Sequence, residues 1–158
     1  MVPRLQTEGG VQTKDPQTSG VHWSFWVIAG LALIWNVLGS ANFLAQLNPE
    51  TVTSMPEAYR LVIADRPIWA TGAFAVAVFG GTLGCLLLLL KRSAAYYLFT
   101  ASLLGVIVTM IHAVGARTTT VDFTPVFVGT SMSLVVAALL MEYSKWGERK
   151  GWIGSPTG

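Results

Sequence analysis

Charge is what this sequence has least of: 10 basic and 8 acidic residues among 158, or 11%. Soluble domains carry about 25% charged residues, so this chain cannot cover a globular surface with polar groups. An ordinary soluble enzyme is excluded on that ground. A formal net charge of +2 gives little pull on phosphates, which excludes a nucleic-acid partner. With 53% hydrophobic and 11% aromatic residues, the chain as a whole is not disordered. Cysteine is limited to Cys85, inside an apolar run, so no intrachain disulfide can form. The two histidines, His22 and His112, belong to no cluster with metal-ligand spacing. The sequence therefore offers no metal site and no cofactor. The run Gly80-Gly81-Thr82-Leu83-Gly84 is not a phosphate loop, because it lacks the lysine and the strand-to-helix setting.

What is present is apolar sequence in four long pieces. Residues 25–45, 67–90, 93–116 and 123–141 contain no Asp, Glu, Lys or Arg. Each lies in or near the range of about 17–25 residues that a helix needs to cross a bilayer. Lipid cannot satisfy free backbone groups, so the spans must be helices or barrel strands. Runs such as 86–90 do not alternate as barrel strands do. The fold class is all-α: a polytopic antiparallel bundle of four transmembrane helices, over about 24–46, 67–90, 93–116 and 124–143. Pro67 and Pro125 suit first helical turns. Thr124 and Ser93 are candidate N-caps, and Lys91 and Arg92 suit a helix C-terminus. Trp23, Trp26, Trp69, Tyr96, Tyr97, Tyr143 and Trp146 fall near span ends, as an interfacial aromatic belt does.

The membrane domain runs over 22–146. Before it, the Gly-, Thr- and Gln-rich arm 1–21 reads as disordered, and the tail 147–158 reads as flexible. The small residues Gly39-Ser40-Ala41 invite signal cleavage, but the mixed-charge arm and the apolar run continuing to Leu47 suit an uncleaved anchor. Basic residues are sorted. Arg4, Lys14, Lys91, Arg92, Lys145, Arg149 and Lys150 fall on one side, against Arg60, Arg66 and Arg117 on the other. The positive-inside rule then puts both termini in the cytoplasm. In the first outer loop, Ser54-Met55-Pro56-Glu57 fits a capping box. Tyr59, Val62 and Ile63 follow on one face, which predicts a short amphipathic helix lying on the outer membrane surface.

Helices in lipid associate where small side chains let backbones approach. Ala73, Ala77, Gly81 and Cys85 recur every fourth residue in the second span, with Gly80 and Gly84 beside them. The third span offers Ala101, Gly105, Thr109 and Ala113. These seams predict a close hairpin of spans two and three, or a dimer contact. Polar groups inside the membrane are the candidate site, because each is costly unless partnered. Asn36 lies mid-span, to bind a substrate hydroxyl or to fix helix register. His112 lies near the outer end of the third span, to relay protons or to bond Thr109, Thr71 or Asn42. The first three spans contain no Asp or Glu, which leaves proton-coupled antiport without its carboxylate. Ser40, Ser102, Ser131 and Ser133 have no base near them in sequence. No catalytic residue is assigned, and the chain does not read as an enzyme.

With Leu33-Ile34-Trp35-Asn36-Val37-Leu38-Gly39 in the first span, Trp69-Ala70-Thr71 opening the second, and 75–84 reading Ala-Val-Ala-Val-Phe-Gly-Gly-Thr-Leu-Gly, a family likeness emerges. Over roughly residues 25–115 the chain resembles a group of small bacterial four-helix inner-membrane proteins often labelled "sugar transporter". The resemblance implies a bacterial inner membrane, a four-helix bundle and transport, and brings no catalytic residues. Three functional readings stand together. One is an accessory or scaffold component, packed by its seams into a larger membrane complex. Another is a homodimeric transporter of a small neutral solute such as a sugar, using Asn36, Thr71 and His112. The weakest is a membrane-embedded enzyme or sensor built on His112.

Overall fold

The computed structural model describes residues 23–116 and 121–154; the arm 1–21, His22 and Arg117 lie outside them. Four long helices form the body: α1 (Trp23–Ala45), α4 (Ile68–Leu89), α5 (Ala95–Gly115) and α6 (Thr124–Arg149). Two short ones, α2 (Pro49–Thr53) and α3 (Glu57–Ala64), lie between α1 and α4. At 1.5 Å per residue, the 22 residues of α4 reach about 33 Å, enough for a hydrocarbon core of about 30 Å. All four long helices are long and apolar enough to cross a membrane. Large side chains such as Leu31, Ile68, Leu104, Ile111 and Leu139 point outward, as lipid-facing positions do. Among the described residues there is no strand, just one isolated bridge between Arg92 and Gly154. The fold is the all-α, four-span bundle with a short helix in the first loop.

α1 packs on α4, α4 on α5 and α5 on α6. The α4–α5 hairpin is the tightest pair, and the glycines show why. A methyl group at Gly105 would lie 2.6 Å from the Ala73 carbonyl oxygen and 2.9 Å from the Ala77 nitrogen. At Gly84 it would lie 2.7 Å from the Phe99 ring. Ser102 Oγ donates to the Ala77 carbonyl across the same seam. The small-residue stripe is thus occupied within one chain. On the other side of α4, Ser40 Oγ shares a hydrogen bond of 2.9 Å with Thr82 Oγ1 and reaches the Val78 carbonyl at 3.3 Å.

The hairpin turns on a helix end closed by paired backbone bonds. Lys91 N–H donates to the Leu88 carbonyl and Arg92 N–H to the Leu87 carbonyl, with Lys91 at φ 55°. α6 ends the same way: Gly151, at φ 71°, donates to Glu148, and Trp152 donates to Gly147. This second turn corrects the expectation of a flexible tail from residue 147. The helix continues to Arg149, and the chain folds back so that Ile153 is buried beside Phe25, Leu88 and Leu140. Gly154 N–H then reaches the Lys91 carbonyl at 3.1 Å. Two apolar residues, Trp152 and Ile153, find cover at this end of the bundle, called the Lys91 end below.

The opposite end carries α3, and here too the expectation changes. The capping box does not form. Ser54 instead ends α2, its Oγ donating to the Thr51 carbonyl at 2.7 Å, and Pro56 precedes α3 without a side-chain bond. Thr124 is likewise not a cap: Phe123 takes that place, and Asp122 accepts from the Thr124 N–H at 2.9 Å. Ala94, not Ser93, precedes α5. α3 does not lie free at its face. Ala58 and Val62 are buried with Ala113, Phe123 and Val126, and Tyr59 donates to the Pro125 carbonyl at 3.1 Å. The short helix is a lid on one end of the bundle.

Candidate functional site

α1 and α6 have no extensive contact of their own, although both pack in the same bundle. They meet at the Lys91 end, where the Phe25 and Tyr143 rings stack at 6.1 Å. That end is solid, filled by Phe25, Cys85, Leu88, Phe99, Leu140 and Ile153. Toward the α3 end the two helices leave a cavity of about 320 Å³, floored by α4 and α5 and roofed by α3. Ligand pockets run from about 300 to 1,000 Å³, so this one suits a small molecule.

The cavity brings polar side chains from three helices and two connecting segments together: Asn36 and Asn42 of α1, Gln46 just after it, Arg66 before α4, Ser102 and Thr109 of α5, and Thr130 and Ser133 of α6. Apolar groups such as Leu38, Phe74, Val78, Val106 and Val126 fill the wall between them. The hydroxyls are mostly engaged with their own helices. Thr109 donates to Gly105, Thr130 to Val126 and Ser133 to Gly129, each one turn back. Each hydroxyl oxygen can still accept a bond from a ligand.

Asn36 lines the cavity, but its amide is turned to the α1–α4 contact. Nδ2 donates to the Ala32 carbonyl at 2.9 Å and to Cys85 Sγ at 3.6 Å, while Oδ1 stands where a side chain on Gly81 would collide. It acts mainly as a register lock. Asn42 lines the cavity and is itself exposed. His112 and Thr71 do not line it. His112 Nε2 bonds the Val62 carbonyl at 3.2 Å, with its ring edge-on to Trp69 at 6.0 Å, so it ties α5 to the lid. Thr71 bonds back to the Pro67 carbonyl at 3.4 Å. Of the seam residues, Ala77 also reaches the cavity, whereas Ala73, Gly80, Gly81, Gly84, Ala101 and Gly105 are not among its lining.

The strongest polar group here is Arg66. Its Nη2 donates to Gln46 Oε1 at 2.8 Å, its guanidinium lies over the Phe74 ring at 5.1 Å, and its Nε is buried without a partner. Burial lowers the Arg66 pKa from its ordinary value. That value is so high that the side chain stays charged. Sequence reading counted Arg66 for topology and passed over it as a site. A useful signal was its place directly before Pro67, which starts a membrane helix. Among the described residues, no group of three or more His, Cys, Asp or Glu could hold a metal ion.

No family model, curated protein or solved structure matches the chain. The four long apolar helices make it a multi-pass integral membrane protein, and its chemistry must be argued from the cavity.

Proposed function

We propose that this protein is a carrier that takes a small solute into the cavity between α1 and α6. The observation behind this reading is the cavity itself: polar groups from three helices and two connecting segments line a space that packed side chains close toward the Lys91 end. A polar pocket inside the bundle, sealed toward one end, is the arrangement a carrier needs in one of its states. The resemblance to proteins labelled as sugar transporters adds support, and with it a bacterial inner membrane. The sorted basic residues support a cytoplasmic Lys91 end. Because one bundle of four helices offers a narrow space, a homodimer is part of this proposal.

The test fills the cavity. Thr130→Trp should abolish uptake of every solute that the wild type carries into proteoliposomes, with radiolabelled glucose and decanoate as first probes. Leu139→Trp, on an exposed position of the same helix, should leave uptake unchanged. Equal flux in both variants would count against the cavity as the path. An accessory role in a larger complex would be favoured instead by recovery of a stoichiometric partner on gentle extraction. The proposed carrier yields a homodimer.

A further inference from the structure

The cavity is electrostatically one-sided. Among the described residues, Arg66 is the one charged side chain in its lining. Its Nη2 serves Gln46, its face is covered by Phe74, and Nε is buried and unpaired. A guanidinium carries five N–H donors in a rigid plane that matches a carboxylate. Nε has almost no accessible surface and is out of a ligand's reach, so an acceptor in the cavity would pair with the Nη groups through a charge-assisted bond. The rest of the wall is largely apolar, with Leu38, Val78, Val106 and Val126 extending from the Arg66 end toward the bundle centre.

Position adds a second constraint. Arg66 lies just before α4, at the end of the bundle where lipid headgroups sit, while the apolar wall extends toward the depth of the acyl chains. A molecule with a charged head and an apolar tail would keep the same orientation in the cavity as in the adjoining leaflet. The limited contact between α1 and α6 leaves it a path from lipid that need not cross water. The volume of about 320 Å³ suits one chain and not the two of a phospholipid.

We propose that the cavity binds a monoacyl carboxylate drawn from the bilayer, with its head on Arg66 and its chain among Leu38, Val78, Val106 and Val126. This deepens the carrier reading and rests on it, while replacing a neutral solute with an anionic amphiphile. Gln46 holds the guanidinium in place, and Phe74 limits access to one of its faces.

The experiment uses the full chain in phosphatidylcholine nanodiscs and measures equilibrium binding of radiolabelled decanoate, decanol, acetate and glucose. Decanoate is expected to bind saturably, about tenfold or more tighter than decanol or acetate. Arg66→Gln should weaken decanoate about tenfold and leave decanol unchanged. Gln46→Glu is the second variant: it keeps a partner for Arg66, so the fold is retained, but its carboxylate competes with the ligand and should weaken decanoate similarly. Decanoate and decanol binding alike, with neither variant mattering, would overturn the Arg66 pairing. Saturable glucose binding without decanoate binding would overturn the amphiphile and leave the carrier reading standing. Binding of none of the four by a folded wild type would remove both.

Discussion

Arg66 and Gln46, twenty positions apart, are joined by a 2.8 Å hydrogen bond that ties the end of α1 to the start of α4. The loop between them, including α2 and α3, is thereby closed like a clasp over the cavity. Gln46→Ala should cost about 1–2 kcal/mol, because it leaves a second Arg66 donor without its acceptor. Chemical unfolding of the detergent-solubilised protein measures this, and Gln46→Glu should be close to wild type in the same assay.

Gly105 sets the distance between α4 and α5. An added methyl meets backbone atoms of Ala73 and Ala77, which cannot rotate away as a side chain would. Gly105→Ala is therefore expected to cost about 1–3 kcal/mol. The control is Gly72→Ala in α4, where the new methyl has nothing within 4 Å. Helix propensity then makes that change neutral or stabilising by about 0.5–1 kcal/mol. Equal effects at the two positions would show that the seam is not tightly packed.

How legible this was depended on whether a feature is local. The spans follow from uncharged length alone, because lipid leaves the backbone no alternative to helix. The α4–α5 hairpin followed from the four-residue spacing of Ala73, Ala77 and Gly81 and from Gly105 opposite. Asn36 was read as a polar group in the middle of the first span and Cys85 as part of the second-span seam, but nothing in sequence pairs two residues 49 positions apart. Arg66 was missed because its role depends on α3 docking through Ala58 and Val62 against α5 and α6. The packed tail was missed for a more local reason. Gly151 followed by apolar Trp152 and Ile153 is a helix-stop signal with a hydrophobic return, and the polar residues around it masked the pattern.

Gly151 carries that return. Its φ of 71° lies where a Cβ is strained by about 1–2 kcal/mol, and Gly151→Ala meets that cost directly. The variant should release Ile153 and Gly154 from the Lys91 end and speed proteolysis after Lys150. Limited trypsin digestion followed by mass measurement reads the change; unaltered cleavage would mean that the tail docking contributes little.

Ser102 is buried and donates to the Ala77 carbonyl inside the bundle. Polar contacts between membrane helices are worth about 0.6 kcal/mol on average, so Ser102→Ala should lower stability by about that amount. A much larger loss, by the same unfolding measurement, would show that the hydroxyl also organises the cavity.

Solute access to the space between α1 and α6 within the membrane is measured most directly by the reactivity of cysteines placed along it. Cys85 is the single native cysteine and is buried, so a Cys85→Ala background allows single cysteines to be placed at will. Labelling by a small, charged, membrane-impermeant thiol reagent should be rapid at Asn42→Cys and measurable at Ser133→Cys, both lining positions. It should be absent at Leu139→Cys on the outward face of α6. A solute that occupies the cavity should protect the first two. Ser133→Cys as inert as Leu139→Cys, with Asn42→Cys equally unreactive, would contradict the account.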